Sequence, residues 1–237
     1  MSLGGLFYPK GTKKKPIEFE SLFIPYIYKE IYFDGVYVDI FNTKKDMVVV
    51  DVGANIGVVS DYMRKYCKKL YAIEPSTEHF EALKKNKEFN EWDNTEVFNI
   101  AIADIDGEMD LLLNEGNRTM HSLNHGKTAE RVKSEWAVKS APLAPYTSSE
   151  KVKTMAMDTF FKENNIEKCD FMKFDVEGAE DMILRSVGFK RVAEKISAIE
   201  VEFHHPNWRD LVKYMMELGY KARQYESSAI IMLFVRG

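Results

Sequence analysis

Asp51-Val52-Gly53-Ala54-Asn55-Ile56-Gly57 sets a carboxylate ahead of two spaced glycines. Gly53 and Gly57 allow a sharp backbone turn and the close approach of a ligand, with no Cβ in the way. If a helix opens at this point, its first N–H groups are unpaired and attract a carboxylate. Asp51 can attract an ammonium. A small molecule bearing both groups fits the loop, and the methionine end of S-adenosylmethionine is such a molecule, with Asn55 in the same turn. A dinucleotide loop reads Gly-x-Gly-x-x-Gly. Counted from Gly53, the later glycine positions of that pattern hold Asn55 and Val58, so it fails. The plain alternative is a strand-to-helix turn that uses glycine for geometry alone.

Three further groups can serve the same ligand. Glu74-Pro75 follows a short apolar run, and dinucleotide sites place a ribose-binding acid roughly 20 residues past the loop. Glu74 is therefore expected to accept the ribose hydroxyls. Ala101 and Ile102 offer a small apolar pair for an adenine, with Asp104 as a polar partner for its amino group. Lys173-Phe174-Asp175-Val176-Glu177-Gly178-Ala179-Glu180 puts Asp175 and Glu177 where a strand runs into a helix. Ligands of open α/β sheets bind beyond the carboxyl ends of the strands, so a substrate should meet the cofactor there. The plain alternative for Glu177 and Glu180 is compensation of the helix dipole.

His204 follows another apolar strand, and an imidazole titrates near neutrality, as a general base should. Its plain alternative is a polar loop residue. Asp175 is the first choice for taking a proton from an attacking hydroxyl and His204 the second. Asp175 has another role open to it, at the methionine end of the cofactor. A metal set of Asp175, Glu202 and His204 is conceivable, but His204 and Glu202 lack a compelling ligand spacing, so no metal is expected. His79 reads as a helix-surface residue, and His121 and His125 lie in a polar insert.

The elements that carry these residues follow from periodicity. Met47 to Val52 is an unbroken apolar run, the pattern of a strand buried on both faces. Ile56, Val59, Met63 and Tyr66 recur at helical spacing. Leu70 to Ile73 is a second strand, a helix capped by Ser76 runs to about residue 90, and Val97 to Ile102 is a third strand. The β-α-β-α-β order implies a parallel sheet. Glu108 to Leu113 and Val152 to Met157 read as strands around a polar insert at 114–151, a length that points to a lid. Asp158 can cap a short helix, and Cys169 to Phe174 is a strand. Ala179, Met182, Ile183 and Ser186 mark one helix face, Ile196 to Phe203 a strand, and Trp208, Leu211, Val212 and Met215 a helix stopped by Gly219. Tyr220 to Tyr225 and Ala229 to Val235 have no helix between them and must pair antiparallel.

The expected fold is α/β and Rossmann-like: a seven-stranded, mostly parallel sheet with a C-terminal antiparallel hairpin and helices on both faces. The domain spans 47–237. Residues 1–46 form an extension with a disordered tail, a short helix at 18–30 and a hairpin at 31–41 around Asp34-Gly35.

The chain has 237 residues, a net charge of -4 and 45% hydrophobic residues, which suits one α/β domain and argues against a phosphate-backbone partner. No apolar run reaches the roughly 20 residues that cross a bilayer. The two cysteines, Cys67 in a predicted helix and Cys169 at a strand start, make no disulfide framework, so a reducing cytoplasm is the expected setting.

Asp-Val-Gly-Ala-Asn-Ile-Gly at 51–57, Ile-Glu-Pro at 73–75, Asn-Ile-Ala-Ile-Ala-Asp at 99–104, Met-Asp-Thr-Phe at 157–160 and the octet at 173–180 occur in one order. In that order they resemble the FkbM family of S-adenosylmethionine-dependent methyltransferases, over residues 48 to about 204. The octet is the most specific piece. The resemblance implies a class I methyltransferase fold and O-methylation of a hydroxyl on a small metabolite or sugar. The chain departs from the family in Met157 and Phe160, where leucines are usual, and in the length of 114–151. Two other readings remain open: a nucleic-acid or protein methyltransferase, and a non-catalytic cofactor-binding module. Base-nitrogen enzymes often carry Asn/Asp-Pro-Pro-aromatic after the fourth strand, where this chain has Asp175-Val176-Glu177-Gly178.

Overall fold

The computed structural model describes residues 46–114, 121–123, 146, 148–204, 207–224 and 230–237. Its elements in chain order are β1 (Met47–Val52), α1 (Val58–Met63), β2 (Cys67–Ile73), α2 (Thr77–Phe89), β3 (Thr95–Phe98), β4 (Ala101–Ala103), β5 (Gly107–Leu113) and β6 (Ser122–Leu123). There follow β7 (Ser148–Ala156), α3 (Met157–Glu163), β8 (Phe171–Phe174), α4 (Glu180–Leu184), α5 (Val187–Val192), β9 (Ala198–Phe203), α6 (Trp208–Glu217), β10 (Tyr220–Gln224) and β11 (Ile230–Arg236).

Seven strands form one sheet in the order β10-β11-β9-β8-β1-β2-β3. Pairs β1–β2, β2–β3, β1–β8 and β8–β9 are parallel, and β11 is antiparallel to both β9 and β10. The expected hairpin is therefore present. Successive side chains of a strand face opposite sides. Val50 and Val52 of β1 join Met172, Phe174, Phe160, Ile183, Phe189, Leu211 and Met215 in one core. Met47 and Val49 join Ile56, Tyr62, Met63 and Phe171 in another. Leu83 of α2 packs with Ala72 and Trp92. Helices thus cover both faces. The chain leaves β1 toward β2 on one side and returns to β8 on the other, so the crevice that a doubly wound sheet offers to ligands opens between β1 and β8.

The structure corrects several boundaries. The third strand is two strands: β3 pairs with β2, whereas β4 leaves for a second sheet ordered β4-β7-β5-β6. Pro75 has no N–H with which to extend the β2–β3 ladder, and the Asn99 amide instead donates to the Glu74 and Pro75 carbonyls, at 3.1 and 2.9 Å. The helix expected around Ala179 to Ser186 ends at Leu184, because Ser186 caps a new helix by accepting the Phe189 N–H at 3.0 Å. Asp158 is not a cap but lies in the first turn of α3 and pairs with Arg191 at 2.8 Å. Helix α1 stops before Tyr66, and Cys67 opens β2. His79 is buried rather than on the helix surface and stacks on His121, with ring centroids 4.8 Å apart. Of the insert, Ser122–Leu123 and the residues from Ser148 onward are strands. Apart from Asn114, His121 and Tyr146, the remainder, read as a lid, lies outside the described residues, as do the expected helix at 18–30 and hairpin at 31–41. Among the described residues no helix is long and apolar enough to cross a membrane.

Candidate active site

Strand alternation brings an ionic row onto one face of the sheet. Asp51 on β1 is in register with Lys173 on β8, and Lys173 with Glu200 on β9. All three are buried. The Lys173 ammonium donates to Asp175 at 3.1 Å. Burial works against its charge, but Asp175, Asp51 and Glu202 more than offset this and hold it above the usual lysine range. The Asp51 carboxyl is pushed up by burial, against the opposing pull of Lys173 and the Ser60 hydroxyl. That hydroxyl donates to one Asp51 oxygen at 2.6 Å, while the other is buried and accepts no hydrogen bond.

The glycine loop rests directly on this row. Gly53 has φ +84°, and a Cβ there would overlap the Asp175 carbonyl oxygen. Gly57 has φ +91°, and its Cβ would stand 2.6 Å from Leu83 and 2.9 Å from Trp92. Glycine is therefore required twice, once by the loop's approach to β8 and once by the packing of α1 against α2. Asn55 is left-handed (φ 52°), and its side-chain oxygen accepts the Ile56 N–H at 2.8 Å. An asparagine tolerates that conformation through such a local bond.

Glu74 follows β2 directly and is buried. Its two oxygens accept the Asn55 N–H at 2.8 Å and the Ser76 N–H at 2.9 Å, so it ties the glycine loop to the start of α2. The His79 imidazole stands 3.7 Å away. Pro75 beside it is half-buried. Ala101 and Ile102 lie in β4 with their side chains in the main core, and Asp104, just past the strand, is exposed.

On the other side of the crevice, His204 follows β9 and is 5% exposed. Its Nδ1 lies 2.9 Å from Glu180, which is itself fully buried and accepts the Gly178 N–H at 2.9 Å. Its Nε2 lies 3.3 Å from Glu202, 3.5 Å from Glu177 and 3.9 Å from Asp175. Burial opposes protonation of the imidazole, but Glu177, Glu180 and Glu202 raise it well above the usual histidine value. Glu177 holds a left-handed backbone (φ 54°) just before Gly178 (φ 107°), a turn that brings its carboxylate back toward the strand ends.

Asp51, Gly53, Asn55, Glu74, Asp175, Glu177 and His204 thus share one edge or the loops resting on it. Sequence reasoning gave no role to Lys173, Asn99, Glu180 or Glu202 as a positioning group. Lys173 had a signal, a lysine inside an apolar strand next to a motif acid. Asn99 had one only in its place just before Ala101.

Among the described residues the edge holds six carboxylates, those of Asp51, Asp175, Glu177, Glu180, Glu200 and Glu202, against two cations, Lys173 and His204. Such an edge suits a cationic ligand. The orphaned Asp51 oxygen fits the ammonium end of S-adenosylmethionine.

Residues 51–222 match the family model described as the methyltransferase FkbM domain. The chain is 28% identical to Methyltransferase 1 of Beauveria bassiana (strain ARSEF 2860), over 70% of this chain and 68% of that protein. It is 29% identical to Methyltransferase sdnD of Sordaria araneosa, over 68% of each. Among solved structures, magnesium protoporphyrin IX methyltransferase from Synechocystis PCC 6803 with bound SAM superimposes with a TM-score of 0.51 at 10% identity, covering 93% of this chain and 86% of that one. This last likeness is one of fold.

Proposed function

This chain belongs to the methyltransferase FkbM domain family, and from that premise we propose that it methylates a hydroxyl of a small metabolite or sugar with S-adenosylmethionine as donor. The sulfonium of that cofactor supplies an activated methyl group. The chain's own residues bind it and orient the acceptor. Asp51 and the loop Gly53 to Gly57 take the methionine end, and Glu74 with Pro75 takes the ribose. Ala101, Ile102 and Asp104 form the adenine side. A lone pair remains on each Glu74 oxygen after the two backbone bonds, because a carboxylate has about four acceptor sites.

The observation that carries the proposal is the seating of Gly53 on the Asp175 backbone. It makes the cofactor loop and the acid one unit, so Asp175 stands beside whatever the loop holds. In that position Asp175 accepts the proton of the attacking hydroxyl, and Lys173, donating to it at 3.1 Å, aims it. His204 and Glu177 flank the acceptor. Alignment and proton removal are what the reaction asks of a protein when the leaving group is already activated.

The test is incubation with 13C-methyl S-adenosylmethionine and a panel of glycosides and hydroxylated metabolites, with the product read by NMR. An O-methyl resonance is expected, and Asp175→Asn should reduce its rate of formation by about 10²- to 10⁴-fold, the usual reach of a general base, while S-adenosylhomocysteine affinity changes little. Methyl appearing only on nitrogen, or only in nucleic acid or protein added to the same panel, overturns the proposal.

A further inference from the structure

We propose that Asp175, Glu177 and His204 form a divalent-cation site of the manganese or magnesium class, which takes the acceptor through two neighbouring hydroxyls. The inference deepens the hydroxyl-methylation reading and rests on it.

One ligand atom from each of the three side chains lies within 4.8 Å of the others. Two ligands on opposite sides of a hard cation are about 4–5 Å apart, given bonds of about 2.0–2.6 Å, so one ion can reach all three with small rotations. A cluster of acids alone would be a weak argument. The independent observation is the imidazole. His204 is almost wholly buried, its Nδ1 is held by the fully buried Glu180, and its Nε2 faces Asp175, Glu177 and Glu202. Metal-ligating histidines are oriented in this way, by a carboxylate on the far ring nitrogen. Glu180 is in turn held by the Gly178 N–H, within the turn that carries Glu177. The ligands come from the ends of two adjacent parallel strands, β8 and β9, and for that reason no ligand spacing is visible in the linear sequence.

A donor set of two carboxylates and one imidazole suits a hard or borderline divalent ion, with positions left for oxygen ligands. A vicinal diol would fill two of them. The ion would draw charge from the acceptor oxygen and ease loss of its proton. That proton passes to the second carboxylate oxygen of Asp175, the one that Lys173 meets at 3.1 Å. The oxygen lone pair forms the new O–C bond, the C–S bonding pair returns to sulfur, and S-adenosylhomocysteine leaves as a neutral thioether.

The experiment titrates Mn2+ into the full chain loaded with S-adenosylhomocysteine. Free ion is followed by electron paramagnetic resonance, and the bound ion by spin-echo modulation from nitrogen. One bound equivalent showing a single imidazole coupling is expected in the unaltered chain. Glu177→Gln and His204→Gln should each weaken binding at least ten-fold, with the nitrogen coupling lost in the latter. If the unaltered chain binds no Mn2+, or binds it without nitrogen coupling, the site is refuted and the carboxylates are balanced by a histidinium alone. Equal affinity in Glu177→Gln refutes it as well. These readouts involve no methyl transfer, so their failure leaves O-methylation standing, whereas a chain that takes up Mn2+ but methylates only nitrogen refutes the other reading.

Discussion

Lys173 is the side chain on which the arrangement of the edge depends most. It is the ammonium between Asp51, Asp175 and Glu202, and it is itself buried. Removing one partner of a buried ion pair leaves the others uncompensated and typically costs about 3 kcal/mol. Lys173→Met is therefore expected to lower the free energy of unfolding in urea by about that amount, despite a good match in size and greater apolarity. A change within a few tenths of a kcal/mol would show that the carboxylates do not need this cation. Much of the candidate site is legible at this scale: Asp51, Gly53, Gly57, Glu74 and Asp175 stand after apolar runs or beside glycines. Lys173 and Glu180 were not legible as functional groups. Their importance comes from register across strands that are far apart in sequence, Asp51 opposite Lys173 and Lys173 opposite Glu200. His79 misled for a related reason. Its place on α2 suggests solvent, but His121 from the insert closes over it.

Among the elements, the runs that read most clearly are those buried on both faces. β1 and β8 are apolar but for one charged residue each, β9 alternates apolar residues with Glu200 and Glu202, and the β10–β11 hairpin follows from the lack of room for a crossover. Breaks were harder to see, because single side-chain bonds decide them. Asn99 ends the β2–β3 ladder and releases β4 into the second sheet, and Ser186 divides one amphipathic stretch into α4 and α5. The second sheet is long-range, pairing β5 with β7 across the insert, and no local pattern announces such pairing. Ser186→Ala tests the division. Loss of a serine N-cap costs about 1 kcal/mol, and thermal or urea unfolding should register a loss of that size. An unchanged stability would mean that packing of Phe189 and Val192 alone starts α5.

The whole molecule is a doubly wound sheet whose chain reverses direction of travel at β1, with its acidic edge at the crevice so formed. The net charge is only -4, so the concentration of carboxylates at that edge is local. A cationic cofactor bound there, as proposed, would tie loop, sheet and acid together, and a ligand that binds only the folded state stabilises it by about 2.7 kcal/mol at 100 times its dissociation constant. The measurement that tests the account most directly is calorimetric titration of S-adenosylhomocysteine into the unaltered chain and into Gly53→Val, with circular dichroism to verify that both are folded. In the variant the new side chain must displace the Asp175 carbonyl and adopt a backbone conformation that valine resists. The account predicts one binding site per unaltered chain, a matching rise in melting temperature, and neither in Gly53→Val. Equal binding by the two folded proteins would contradict it, because the cofactor would then lie away from the β1–α1 loop.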